Sequence, residues 1–229
     1  MRKIAIAIDG PAGAGKSTIA KGVAARLGIV YVDTGAMYRT AALYMIRAGI
    51  DIKNEREKLL ENLDNIDMDI IYNEKGQRMY LGGEDVSEAI RQEEVSMGAS
   101  NIAVIPEVRL KLVEMQRDIA KTKSVIMDGR DIGTYVLPDA ELKIFLTASD
   151  VCRAERRFSE LTEKGIACTF DDILEDIRKR DKNDSEREFA PLKQADDAVL
   201  VDTTEMTQDE VMDEILSLIQ KKFGEEADA

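Results

Sequence analysis

The sequence contains no histidine and no tryptophan, only two cysteines and four prolines, and aromatic residues make up 5 % of its 229 positions. Each scarcity excludes something. Without imidazole there is no Ser-His-Asp triad, no His-ligated metal and no histidine acid–base chemistry. Two cysteines, Cys152 and Cys168, cannot build a disulfide framework or a Cys-rich zinc site, and both are expected as reduced thiols. No apolar run approaches the ~18–20 residues that span a bilayer. The opening Met1-Arg2-Lys3 followed by Ile4 to Ile8 has the outline of a short signal peptide. Asp9 and Lys16 end that run, however, and a glycine-rich loop stands where a cleavage site would be. The segment reads as the buried first strand of a cytoplasmic protein.

Basic residues are also outnumbered, 32 against 45 acidic, for a net charge of -13. Such a field repels polyanions, which excludes long nucleic acid and anionic membranes as partners. A small anion remains admissible, because a local arginine cluster can invert the potential inside a cleft. Apolar residues at 44 % supply a core for one domain, or for one domain with an insert. There is no internal repeat, and only the acidic tail Glu225 to Ala229 is expected to fray. No long exposed apolar stripe is evident, so a monomer is expected.

Short apolar runs at Ile4–Ile8, Ile29–Val32, Ser124–Met127, Leu142–Leu146 and Ala198–Val201 read as buried parallel strands. Helical spacing lies between them. Ile19, Val23 and Leu27 share a face with Gly28 as the stop, and Val108, Leu112, Met115 and Ile119 follow Pro106. Thr207 and Glu210 form a capping box for Val211, Ile215, Leu218 and Ile219. This alternation predicts an α/β fold around a parallel sheet. One stretch breaks the rhythm. Ile66 to Ile70 alternates, Asn73-Glu74-Lys75-Gly76 turns, and Gln77 to Leu81 returns, which is hairpin chemistry within about 66–86. The expected division is a core of 1–34 and 106–229 carrying an α+β insert at 35–105.

The strongest local signal is Gly10-Pro11-Ala12-Gly13-Ala14-Gly15-Lys16-Ser17, followed by Thr18, placed between a strand and a helix. Its glycines let successive amides converge on phosphate oxygens, and the helix start adds partial positive charge. Lys16 can reach the β and γ oxygens of ATP, and the Ser17 hydroxyl can ligate Mg²⁺. The loop predicts a nucleoside triphosphate site in a P-loop NTPase fold.

A P-loop alone does not separate switches, motors and kinases. A guanine-reading Asn-Lys-x-Asp is missing. Arginines instead collect at strand ends: Arg39 after the second apolar run, Arg130 in Asp128-Gly129-Arg130-Asp131 after the third, Arg153, Arg156 and Arg157 after the fourth, and Arg178, Lys179, Arg180 and Arg187 before the fifth. Ligands of open α/β sheets gather at the carboxyl ends of strands, and guanidinium groups grip phosphates in pairs. Asp128 occupies a position suited to orienting the waters of Mg²⁺.

At these residues the chain resembles the bacterial cytidylate kinases, a family of nucleoside monophosphate kinases. The resemblance runs from Ile4 to about Leu218 and rests on the loop, on Asp33-Thr34-Gly35-Ala36-Met37-Tyr38-Arg39, on Asp128-Gly129-Arg130-Asp131-Ile132-Gly133-Thr134, and on Arg180-Asp181 with Ala190-Pro191-Leu192. The hairpin and Glu84-Asp85-Val86-Ser87 with Ile90-Arg91 resemble the family's enlarged monophosphate-binding region. It implies that Arg39, Arg130, Arg180 and Arg187 clamp the acceptor phosphate, and that Ser100, Arg109 and Asp131 read cytosine. Thr34 and Asp184 are implied near the base and sugar. Arg153, Arg156 and Arg157 are implied in a short lid, about 149–168, over ATP. Thr34 stands where some relatives carry Ser, and Lys182 to Glu186 is less basic than in some of them.

Cytosine offers an N4 donor where uracil offers an acceptor, so an Asp131 carboxylate favours one and repels the other. The reaction expected is transfer of the γ-phosphoryl group of ATP to CMP or dCMP in pyrimidine nucleotide metabolism. Lys16, Arg130, Arg157 and Arg180 stabilise the transferring group. The alternatives are a kinase for UMP or AMP and an ATP-dependent binding switch.

Overall fold

A computed structural model describes residues 3–74 and 76–224; Lys75 and the acidic tail Glu225–Ala229 lie outside the described residues. In chain order the elements are β1 (Ala5–Asp9), α1 (Lys16–Leu27), β2 (Val30–Asp33), α2 (Thr34–Arg47), α3 (Arg56–Asn62), β3 (Met68–Asn73), β4 (Gly76–Leu81) and β5 (Glu84–Asp85). There follow α4 (Glu93–Ile102), α5 (Pro106–Thr122), β6 (Val125–Gly129), β7 (Leu142–Thr147), α6 (Asp150–Glu163), α7 (Phe170–Glu186), β8 (Val199–Asp202) and α8 (Gln208–Gly224). The larger sheet has the order β2-β6-β1-β7-β8. It is the α/β architecture that the alternating apolar runs predict.

The chain divides into two compact units, Met1–Val30 with Lys123–Ala229, and Tyr31–Thr122. In the first, β1 is the central strand. It runs parallel to β6 and to β7, with Ile8 opposite Asp128 on one side and Ile144 on the other. Ile6, Ile8, Ile126 and Met127 are completely or almost completely buried. Burial on both faces explains why these strands read as continuous apolar runs rather than alternating ones. Because the strands are parallel, Asp9, Asp128 and Thr147 all lie toward one edge of the sheet, where the functional loops begin.

Two helical additions complete this unit. Helix α8 starts with the expected capping box: the Glu210 carboxylate accepts from the Thr207 amide at 2.8 Å, and the Thr207 hydroxyl accepts from the Glu210 amide at 3.3 Å. Buried Val211, Met212, Ile215 and Ile219 form its inner face. Helices α6 and α7 pair around Ala154, Ile173 and Ile177, with Phe158, Leu161, Phe170 and Leu174 packed alongside.

The second unit contains the antiparallel sheet β3-β4-β5. Its hairpin pairs Met68 with Leu81 and Asn73 with Gly76, so it lies where the alternation places it. Gly98 of α4 leaves room for α2: a Cβ there would stand 3.2 Å from that of Ala42. Helix α5 clusters with this unit, which therefore runs to Thr122 rather than to 105. Polar ties join α5 to the rest of this unit beside its buried Val108, Leu112 and Val113. Lys111 donates to the Leu63 carbonyl at 2.8 Å, and Arg56 donates to Glu107 at 3.0 Å. The apolar spacing of α5 reveals a buried face and says nothing of these ties.

Candidate active site

Residues 10 to 15 bridge β1 and α1, and three of their glycines have positive φ: Gly10 at 149°, Gly13 at 76° and Gly15 at 86°. Gly10 is also a close approach. A Cβ there would sit 1.9 Å from the Leu146 carbonyl oxygen, which backbone cannot accommodate. Lys16 is the first residue of α1 and is 5 % exposed. Its ammonium donates to the Pro11 carbonyl at 2.7 Å and so closes the loop on itself. Burial, then the positive charge of Arg130, hold the Lys16 pKa below the usual lysine range, while Asp128 and Asp9 oppose the shift. The Ser17 hydroxyl donates to the Asp128 carboxylate at 2.7 Å, joining the start of α1 to the end of β6.

Beyond Asp128 lies a cationic cluster built from β6 and α7. Arg130 donates to Asp184 at 2.7 Å. Burial works against the Arg130 charge, but Asp184 outweighs it and holds the guanidinium above its ordinary pKa. The reciprocal is seen at Asp184, where burial is outweighed by Arg130 and the carboxyl is held low. Arg180 faces Asp176 at a looser 3.8 Å, and burial followed by the Arg130 charge lowers its pKa. The charge of Arg130 is thus felt at Arg180. Arg187 completes the cluster. It lies 3.5 Å from Asp131, both side chains being almost fully buried, and it donates to the Ala190 carbonyl at 2.5 Å. Ala190 is the sole non-glycine with positive φ, 47°, among the described residues. That conformation turns its carbonyl back toward Arg187, and the Leu192 amide returns to the Asp184 carbonyl at 2.7 Å. A strained residue thus sits where it orients a cation.

The three arginines of α6 have distinct surroundings. Arg153 is 4 % exposed, and its guanidinium donates to the carbonyls of Ala148 and Ala12, each at 2.9 Å, and to Asp181. Arg156 donates to the Thr203 carbonyl at 2.7 Å. Arg157 is half exposed and pairs with Glu160 at 2.8 Å. Spacing alone groups these side chains as one basic face; the structure directs the first two into protein and leaves the third toward solvent.

In the second unit, Asp33 organises the start of α2. Its carboxylate accepts from the Ala36 amide at 2.8 Å and from Arg39 at 3.0 Å. Thr34, the first helical residue, is buried. Gln77 of β4 braces Asp33 from the hairpin: its amide oxygen accepts from the Asp33 N–H at 2.8 Å, and its amide nitrogen donates to the Asp33 carbonyl at 3.3 Å. Arg109 of α5 is 1 % exposed, donates to the Ala103 carbonyl at 3.1 Å, and lies 5.5 Å from the centroid of the Tyr38 ring. Ser100 is exposed on α4, with its hydroxyl 3.4 Å from the Ser96 carbonyl.

The family model for cytidylate kinase matches residues 6–221, nearly the whole chain. The chain belongs to the cytidylate kinase family. The cytidylate kinase of Caldicellulosiruptor saccharolyticus is 56 % identical over 226 residues, covering 99 % of this chain and all of that protein. That of Clostridioides difficile is 50 % identical over 219 residues, 96 % of this chain and 99 % of its own. Among solved structures, an uncharacterised protein from Eubacterium ventriosum aligns over 96 % of this chain and 99 % of its own, with a TM-score of 0.51 and 17 % identity. That likeness extends to the fold alone.

For this cytidylate kinase family member, sequence reasoning left out Asp9, Asp33, Gln77 and Ala190 as parts of the site. Asp9 carries a visible signal, a charged residue ending a fully apolar strand, and Asp33 and Ala190 lie within motifs that carry the family resemblance. Gln77 carries none, because its partner is set by hairpin geometry.

Proposed function

We propose that this protein transfers the γ-phosphoryl group of ATP to CMP or dCMP, producing ADP and CDP or dCDP. The observation that carries the reading is the cationic cluster of Arg130, Arg180 and Arg187 in the same unit as the Lys16 loop, within a chain of the cytidylate kinase family. A switch that holds ATP without passing on its phosphate has no use for a second cluster of this kind.

The loop and helix start at residues 10 to 18, through their backbone N–H groups apart from Pro11, which has none, and Lys16 hold the triphosphate. An oxygen of the acceptor phosphate attacks the γ-phosphorus; the bond to the β-bridging oxygen breaks, and its electron pair leaves with ADP. That attacking oxygen is already ionised at neutral pH, so no general base is required, in keeping with a sequence without histidine. Arg130 and Arg180 meet the acceptor phosphate, joined by Arg39 and Arg187, and Arg157 acts from the segment 149–168 as it closes over ATP. Asp131 accepts from the cytosine amino group, Arg109 donates to the ring acceptors, and Ser100 supplies a hydroxyl; Thr34 and Asp184 lie nearer the base and sugar.

The donor set suits magnesium carried in with the nucleotide. No cluster of three carboxylate, cysteine or histidine groups that could hold a metal occurs among the described residues, while a hydroxyl and a carboxylate stand together at Ser17 and Asp128. Magnesium in kinases takes few protein ligands and keeps phosphate oxygens and waters. Ser17 would hold it and Asp128 would orient its waters; when bound, the ion supplies charge neutralisation on the phosphates. No described helix is long and apolar enough to cross a membrane. A cytoplasmic monomer completes the reading.

The test is ADP formation from Mg·ATP with CMP, dCMP, UMP, AMP and GMP in turn, with each product identified. CDP or dCDP with little UDP supports the reading. Equal CDP and UDP would retain the kinase and remove the cytosine readers, and ATP binding with no phosphorylated product would remove the kinase.

A further inference from the structure

Asp9 is a buried ionisable group to which the reaction above gives no task. It ends β1 directly before Gly10 and is 4 % exposed. Both of its carboxylate oxygens are engaged. Oδ1 accepts from the Ile132 amide and Oδ2 from the Gly133 amide, each at 2.7 Å and across 123 and 124 residues of chain. Those amides open a short wide turn, Ile132–Val136, in which Val136 N–H reaches the Asp131 carbonyl at 3.1 Å and Leu137 N–H reaches the Ile132 carbonyl at 2.7 Å. The first amides of a helical turn have no acceptor within it. Here the acceptor comes from the strand that leads into the phosphate loop.

Asp131 immediately precedes these two amides. Its backbone, at φ -146° and ψ 24°, is neither helical nor extended, and its carboxylate faces Arg187 at 3.5 Å. The space around the clamp is tight. A Cβ on Gly133 would lie 3.1 Å from Cδ of Lys143 and 3.4 Å from Oδ2 of Asp9. Lys143 is itself held at its far end by Asp197. Burying a carboxylate costs far more than burying a neutral residue unless its bonds demand it. An asparagine would offer one oxygen and one NH₂, leaving one of the two amides against a donor.

We propose that Asp9 is a positioning residue for acceptor recognition, its carboxylate fixing the Asp131–Gly133 backbone and through it the direction of the Asp131 carboxylate. The inference rests on the reading of Asp131 as a cytosine contact and deepens it. It also makes the strand that ends in the phosphate loop part of base selection.

The experiment compares wild type with Asp9→Asn, Asp131→Ala and the double variant, measuring kcat and KM for CMP and UMP at saturating ATP, and Kd for ATP. In Asp9→Asn the CMP KM should rise about tenfold, as for one buried hydrogen bond turned unfavourable. The ratio of kcat/KM for CMP over UMP should fall with it, while kcat and the ATP Kd stay within about threefold. The double variant should discriminate no worse than Asp131→Ala alone, because the two changes remove one function. Unchanged CMP KM and ratio, or equal losses for CMP, UMP and ATP, would overturn the role of Asp9. Should Asp9→Asn melt before it can be assayed, Gly133→Ala presses on the same clamp with no change of charge and is held to the same criteria. Wild type forming no CDP would remove the acceptor reading and this inference together. CDP from wild type with an unaltered Asp9→Asn would remove the inference alone.

Discussion

The Arg153 guanidinium donates to the Ala12 carbonyl at 2.9 Å and to both carboxylate oxygens of Asp181, at 3.0 and 2.6 Å. One side chain therefore joins the phosphate loop to the helix that carries Arg180. Gly13 lies against the same residue, with space for a Cβ only 3.3 Å from that of Arg153. Removing this strut leaves a carboxylate and two carbonyls without their donor. Arg153→Ala should cost about 3 kcal/mol in urea unfolding, discounted for the partial exposure of Asp181, and should weaken ATP binding as well. Full stability with a loss confined to ATP would mean that Arg153 serves the nucleotide directly.

Lys16 holds the loop closed in this structure and is assigned to the triphosphate in the reaction. Lys16→Ala should lower kcat by at least about a hundredfold, the scale of losing one well-placed donor to a developing charge. Its circular dichroism spectrum should match wild type. Near-normal turnover would remove Lys16 from the chemistry.

Asp131→Ala should narrow the preference for CMP over UMP by about tenfold or more, since it removes both an acceptor for the amino group and a repulsion toward the uracil oxygen. Arg187 would lose one of its partners at the same time, so some loss of CMP affinity should accompany the change. The measurement is the ratio of kcat/KM values; an unaltered ratio would take Asp131 out of base reading.

Burial raises the Asp9 carboxyl to about 6, with the Asp131 charge adding to the rise and two amide hydrogen bonds and Lys16 opposing it. Between roughly pH 4 and 6 the folded chain keeps a proton that the unfolded chain has released. The contribution of this group to stability is therefore full below about pH 4 and is lost as pH rises through about 6. Relative to Asp9→Asn, wild type should lose about 2 kcal/mol of unfolding free energy between pH 4.5 and 7.5, read from urea titrations at the two pH values. A constant difference would mean an ordinary carboxyl.

The phosphate loop is legible in the sequence because its chemistry is contiguous: eight neighbouring residues and their flanking strand and helix specify it. Strands β1, β6 and β7 are legible for a similar reason, since burial on both faces writes itself as an apolar run, whereas β8, expected as buried, leaves Val199 and Leu200 exposed as an edge strand. Arg153, Arg156 and Arg157 are less so. Their spacing places them on one helix, but whether a guanidinium meets solvent or the Ala12 carbonyl depends on a packing partner from another part of the chain. Asp9 and Gln77 show the limit most plainly. Each owes its role to partners 44 to 124 residues away, and no local pattern encodes those partners.

The division of the chain also bears on how the molecule is made. The second unit is one uninterrupted stretch, Tyr31–Thr122, whereas the first is discontinuous. Ile8 of β1 meets Asp128 of β6, and β7 and β8 come later still. At a translation rate of about 5–20 residues per second, the leading strand waits on the order of ten seconds for its first neighbour. During that interval the contiguous unit is synthesised in one piece while the phosphate loop has nothing to close against. Nascent chains arrested before Val125 should be cut by protease near Gly10–Lys16, and chains extended past Asp202 should resist. The nucleotide site is then completed late, though its residues are among the first to leave the ribosome.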